Sequence, residues 1–107
     1  MDVPKKLSDR ELYHLLDVNI ARGNYVFKKH ARQRQKDRNI SDAEVIQVLE
    51  GRSGRRRHRN KLKDSYEAGK EAWKYCIEGI NPDNNKLRII ISFEEGVIPI
   101  ITVMWIN

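Results

Sequence analysis

The 107-residue chain contains a single cysteine, Cys76, and this scarcity excludes two classes of small domain. One thiol cannot form an internal disulfide framework, and it cannot supply the sulfur ligands of a cysteine-based zinc site. A lone cysteine is in keeping with a reducing compartment, so we expect the protein to be cytoplasmic. The fold must then be stabilised by a buried core, and a chain of this length can bury a thin one.

The sequence also lacks segments that would direct the chain into a membrane. Residues 1–10 have no apolar core of a signal peptide. The longest apolar stretch, residues 97–106, is too short to cross a bilayer and indicates a strand. Internal repeats and low-complexity tails are absent as well. We therefore predict one domain over residues 1–107 and no membrane partner.

Sequence motifs of the common catalytic sites are missing too. No two histidines have the spacing of metal ligands on a helix, and the H-E-x-x-H run is absent. The chain has no glycine-rich phosphate loop, and no serine lies in a nucleophile-elbow pattern. We therefore expect neither a metal site nor a cofactor.

Positive charge is what the chain has in excess. Its 21 Lys and Arg residues face 15 Asp and Glu residues, which gives a net charge of +6. Most of the basic residues lie in two segments, residues 22–38 and 52–63. Such clusters bind polyanions, because neutralising phosphates releases counterions. The alternative is a solvated helix face followed by a flexible basic loop. We favour RNA as the partner, with these contact residues: Lys28, Lys29, Arg55, Arg56, Arg57, His58, Arg59, Lys61 and, as a stacking ring, Trp73.

The hydrophobic pattern predicts helices in the first half and strands in the second. Ser8 with Glu11 and Ser41 with Glu44 have the spacing of capping boxes. We expect a helix or helical turn over residues 25–37, and the basic residues 52–63 fit a loop, an edge strand or both. Alternating apolar residues predict strands over residues 73–78, 87–93 and 97–105. The prediction is an α+β fold in which N-terminal helices pack on a small antiparallel sheet.

One of the three histidines has neighbours suited to chemistry. His30 is followed by Arg34 and Arg38, which are four and eight residues on and would share its helix face. A histidine beside two arginines suits proton transfer next to a phosphate. An ordinary surface histidine is the alternative reading. His14 fits a structural or surface role, and His58 lies within the arginine run, where it would contact phosphate.

A series of short motifs carries a family resemblance. They are FKKHAR at residues 27–32, RNISDAEVIQVLEG at 38–51, WKYCIEG at 73–79 and IITV at 100–103. The series resembles a bacterial family of small uncharacterised domains that is grouped with the RelE-like toxins, within the barnase–EndoU–colicin–RelE fold of metal-independent RNases. The resemblance covers residues 25–106 and leaves the N-terminal helix, residues 1–24, outside it. The basic insertion at residues 52–70 departs from the pattern, because many members have a short connection there.

The resemblance implies the toxin of a toxin–antitoxin pair, a metal-independent endoribonuclease acting on free or ribosome-bound RNA and bound by a cognate antitoxin. Carried over by position, the family's histidine falls on His30, its arginine on Arg38 and its last-strand threonine on Thr102. Together with Arg34 and the strand residue Lys74 these form the predicted catalytic set. The alternative function is a non-catalytic nucleic-acid-binding or protein-inhibitory domain of the same fold.

Overall fold

The computed structural model describes residues 3–51, 57–66, 72–81 and 83–106. Its helices are α1 (Asp9–Ala21), α2 (Lys29–Arg38) and α3 (Asp42–Glu50). Both predicted capping boxes are confirmed: the hydroxyls of Ser8 and Ser41 accept from the backbone N–H three residues on, where α1 and α3 begin. None of these helices is both long and apolar enough to cross a membrane.

The strands form one mixed sheet. They are β1 (Tyr25–Phe27), β2 (Arg57–Arg59), β3 (Tyr75–Ile80), β4 (Lys86–Ile91) and β5 (Ile98–Trp105), in the order β1-β5-β4-β3-β2. β1 pairs with β5 in parallel, and the remaining pairs are antiparallel. The predicted α+β fold is confirmed, as is an edge strand within the basic segment, whereas the sheet is mixed instead of purely antiparallel.

The expectation of a helix or helical turn starting at residue 25 is wrong, because Tyr25–Phe27 forms β1. Gly23 at a φ of 73° turns the chain after α1, and aromatic and β-branched side chains favour the pleated conformation. The backbone is held on both sides of β1, since Ile98 donates to Asn24 O and Lys28 donates to Ile100 O. The helix therefore starts only at Lys29.

The helices cover one face of the sheet. Ile77, Ile89 and Val103 lie side by side in register on β3, β4 and β5, and all are fully buried against the helices with core residues such as Leu12 and Leu49. α1 thus contributes to the same core as the segment that carries the resemblance.

Strand side chains alternate between faces, so the residues between these core positions point to the opposite side. We call that side the outer sheet face, and its residues include His58, Cys76, Glu78, Arg88, Ile90, Thr102 and Met104.

Candidate active site on the outer sheet face

A buried carboxylate joins two basic side chains on the outer sheet face. Glu78 lies in the middle of β3, with His58 opposite it on β2 and Arg88 opposite it on β4. His58 Nε2 is 3.1 Å from Glu78 Oε1, and Arg88 Nε donates to Glu78 Oε2 at 2.8 Å. We call these three residues the outer-face triad. Strand register alone aligns the three residues, since His58 and Arg88 are the direct cross-strand neighbours of Glu78.

Asn60 supplies a further donor to the same carboxylate. Its Nδ2 donates to Glu78 Oε2 at 3.1 Å, and its backbone N–H is fixed by donation to Cys76 O at 2.9 Å. The Glu78 carboxylate is therefore held on both oxygens, and its orientation is set before any ligand arrives.

The electrostatics keep Glu78 ionised. Burial would raise the pKa of the carboxyl, but hydrogen bonds from Arg88, Asn60 and His58 and the charge of Arg88 outweigh it, so the pKa lies below its ordinary value. The thiol beside it behaves in the opposite way. Burial, and then the Glu78 charge, raise the pKa of Cys76 to about 12. Cys76 is therefore a neutral packing residue and not a nucleophile.

The triad presents two groups to solvent. The side chain of His58 is 52% exposed and that of Arg88 is 23% exposed, whereas that of Glu78 is only 5% exposed. Nδ1 of His58 has no hydrogen-bond partner in the part of the chain that is described. A carboxylate that holds one ring nitrogen fixes the tautomer and stabilises the imidazolium, which leaves the other nitrogen for proton transfer. Arg88 adds a positive charge beside it. The described segments contain no group of three His, Cys, Asp or Glu side chains that could hold a metal ion.

The sheet divides the predicted catalytic set. His30, Arg34 and Arg38 lie on α2, which packs on the helix side through Ala31 and Gln35. Thr102 lies on the outer sheet face opposite Ile90, where its hydroxyl is buried without a partner among the described residues. Lys74 directly precedes β3 and pairs with Ser65. The structure therefore does not bring these five residues together.

Two of the predicted RNA contacts are used inside the domain. The side chain of Arg59 is 2% exposed and donates to Asp64, Asp9 and Leu7 O. Arg57 pairs with Asp17, donates to the last turn of α3 at Leu49 O and lies over the Tyr13 ring. These contacts connect β2 with α1 and engage both guanidinium groups inside the domain.

The other predicted contacts are arranged differently. Lys28 and Lys29 are exposed at the start of α2, while Lys61 is 60% exposed and pairs with Asp9. Arg55 and Arg56 lie outside the described residues. His58 belongs to the triad.

Trp73 is half-buried and already packed within the domain. Its indole N–H donates to Pro4 O at 2.6 Å, and its ring lies against Tyr66 and beneath Lys6. These intramolecular contacts leave only the remaining exposed part of the ring for stacking on a nucleic-acid base.

Sequence reasoning missed Glu78 and Arg88. The available signal was a carboxylate within an apolar strand, Tyr75–Ile80, because a buried charge requires partners. Those partners can be identified only once the pairing of β3 with β2 and β4 is known, and no local sequence pattern reveals that pairing.

Residues 27–105 match the family described as a domain of unknown function (DUF4258). The chain belongs to this family. The match includes the whole outer-face triad and excludes α1. No curated protein and no solved structure matches the chain.

Proposed function

We propose that this member of the DUF4258 family is an endoribonuclease that cleaves RNA without a metal ion at the outer-face triad. The observation that carries the proposal is the buried, ionised Glu78, which bridges an exposed histidine and a half-buried arginine. A proton-transfer group beside a fixed positive charge is what phosphodiester transesterification requires. The motif resemblance to metal-independent RNases supports RNA as the substrate class.

The chemistry uses the substrate's own nucleophile. The ribose 2′-oxygen attacks the adjacent phosphorus, and the bond from phosphorus to the 5′-oxygen breaks. His58 takes the proton of the 2′-hydroxyl through Nδ1 and returns it to the departing 5′-oxygen. Arg88 stabilises the charge on the phosphorane, and Glu78 stabilises the imidazolium that forms in between. The products are a 2′,3′-cyclic phosphate and a 5′-hydroxyl end.

The proposed biological setting follows from the resemblance. The domain would act in the cytoplasm as the toxin of a toxin–antitoxin pair, on free or ribosome-bound RNA. Its antitoxin would block the outer sheet face or compete for the basic surface. RNA binding without cleavage is the second candidate function, and the exposed lysines of α2 favour it.

A digestion assay with two histidine variants tests the proposal. Purified protein is incubated with end-labelled single-stranded RNA in excess chelator, and the product ends are mapped. His58→Ala should reduce cleavage by roughly 10²- to 10⁴-fold, which is the usual contribution of a general acid–base group. His30→Ala, at an exposed position on α2, is the matched control and should cleave like the wild type.

Three outcomes would contradict the proposal or its site. Intact RNA with wild-type protein contradicts the enzyme and leaves binding as the function. Equal cleavage by His58→Ala and wild type removes the triad from the reaction. Loss of cleavage in His30→Ala alone restores the site that the motifs predict.

A further inference from the structure

Helix α2 lacks the stabilising features with which the other two helices begin. α1 and α3 each start with a complete capping box and acidic residues in the first turn. Lys28, at the N-cap of α2, makes no side-chain cap hydrogen bond, and no acidic residue follows in the first turn. Instead Lys29 occupies the first helical position. Cations near a helix N-terminus oppose the helix dipole, so this start costs stability.

The remaining charges on α2 are also unfavourable for an isolated helix. Arg32 and Lys36, and likewise Arg34 and Arg38, are like-charged residues four positions apart, a spacing at which they repel. Asp37, the single acidic residue of the helix, accepts from the Gln33 amide.

Among Lys28 and the Lys and Arg residues of α2, Arg32 forms an ion pair, with Asp42. The others have no ion-pair partner among the residues that the structure describes. We call them the α2 cationic residues: Lys28, Lys29, Arg34, Lys36 and Arg38. Lys29 and Lys36, seven positions apart, lie on one side of the helix, and Arg34 and Arg38, four positions apart, lie on another.

Tertiary contacts keep α2 folded in spite of these charges. Ala31 and Gln35 are buried, the guanidinium of Arg32 lies 4.2 Å from the centre of the Phe27 ring, and the Trp105 indole donates to Arg38 O. Packing thus holds α2 in place although its start and its charge spacing are unfavourable for a helix. Departures of this kind from local helix-stabilising patterns are expected at functional surfaces.

We propose that the α2 cationic residues hold the phosphodiester backbone of RNA at a place separate from the outer-face triad. The proposal rests on the proposed function for the choice of RNA over other polyanions. Charge complementarity supports it, since flexible lysines and arginines without carboxylate partners are free to replace the counterions of phosphate. Arg34 and Arg38 thereby become contacts for the backbone and not catalytic groups.

The topology places the proposed RNA-binding residues of α2 and the outer-face triad on opposite faces of the sheet. α2 packs on β5, next to β1 at one end of the sheet, whereas the triad spans β2, β3 and β4 on the other face. An RNA must pass around the sheet to touch both surfaces. Long RNAs can therefore contact α2 and the triad at once, whereas an oligonucleotide of a few residues can contact only one of them.

Binding at varied salt tests the inference without requiring cleavage. The probes are a long and a four-residue 2′-O-methyl RNA, which lack the nucleophile, and the readout is fluorescence anisotropy. Lys29→Gln with Lys36→Gln should lower the slope of log affinity against log salt by about 0.7 per lost contact for the long probe. The slope for the short probe should fall by less, because it has only three phosphodiester groups to contact.

A matched variant separates location from net charge. Lys5→Gln with Arg10→Gln removes the same charge from exposed positions outside α2 and should keep the wild-type slope. Equal losses in both variants, or a wild-type slope in the α2 variant, would overturn the inference. So would an acidic polypeptide such as polyglutamate displacing the RNA at equal charge concentration. Failure of the wild type to cleave any RNA would refute the proposed function alone, because the probes used here are not cleaved.

Discussion

The two basic segments of this domain have similar composition and use their charge in opposite ways. On β2 and the turn that follows, Arg57, Arg59 and Lys61 pair with acidic residues of the domain, and Arg59 is 2% exposed. On α2 and at its N-cap the basic side chains are mostly exposed, and five of them lack an ion-pair partner in the described part of the chain. The sequence gives the number and positions of the charged side chains, but the tertiary contacts determine which of those side chains are exposed to solvent.

Because of this difference, the functions that the sequence suggests for the two basic segments are largely exchanged. The motifs predict chemistry around His30 on α2, and the predicted RNA contacts lie mostly along residues 55–61, with Lys28, Lys29 and Trp73 in addition. The geometry favours proton transfer at His58, beside β3, and phosphate contacts along α2. The exchange is a proposal, and the two histidine variants decide it.

The largest expected effect concerns an arginine that is used internally. Arg59→Ala should destabilise the fold by about 3 kcal/mol, because it removes two hydrogen bonds and one of two counter-charges, the other being Lys6, from Asp64, whose side chain is fully buried. Arg34→Ala, on α2, should change the free energy of unfolding by less than about 0.5 kcal/mol. Urea unfolding of both variants measures the contrast. If the two losses are equal, the distinction between the segments is wrong.

A smaller effect should appear in the pH dependence of stability. The pKa of Glu78 is lowered in the folded state, so its contribution is present above the ordinary value of 4.5 and is lost as pH falls through the folded pKa. The difference in unfolding free energy between wild type and Glu78→Gln should therefore shrink when the pH is lowered from 7 into that acidic range.

Asp42 provides the comparison from the α2 side. Its pKa is also lowered, first by the hydrogen bond from Arg32, but its side chain is 56% exposed. Asp42→Asn should show the same sign with a smaller amplitude, since solvent screens an exposed pair. A pH-independent difference for Glu78→Gln would mean that the carboxylate is not held as described.

Particular residues show what could be predicted from the sequence. Ser8 with Glu11 and Ser41 with Glu44 were readable because a capping box involves residues three apart. The strands of the second half were readable from their alternation. Glu78 was not, because its partners come from two strands and depend on register. The strand Tyr25–Phe27 was missed for the same reason, since it forms by pairing with β5, more than seventy residues later in the chain.

The last predicted effect returns to α2, and its sign, a gain of stability, is rare among ordinary surface substitutions. Lys28→Ser with Lys29→Glu would give α2 the N-cap and first-turn acid that α1 and α3 already have. A new N-cap contributes about 1 kcal/mol, and exchanging a cation for an anion in the first turn adds up to about 1 kcal/mol at low salt. The variant should thus unfold at higher urea than the wild type and bind long RNA more weakly.

A helix start shaped only by folding would gain stability without any change in binding. A helix start selected for contact with phosphate should trade one property for the other. Urea unfolding and RNA anisotropy on the same preparation distinguish these cases. A stabilised variant with wild-type RNA affinity would show that the unpaired charge of α2 is unrelated to RNA.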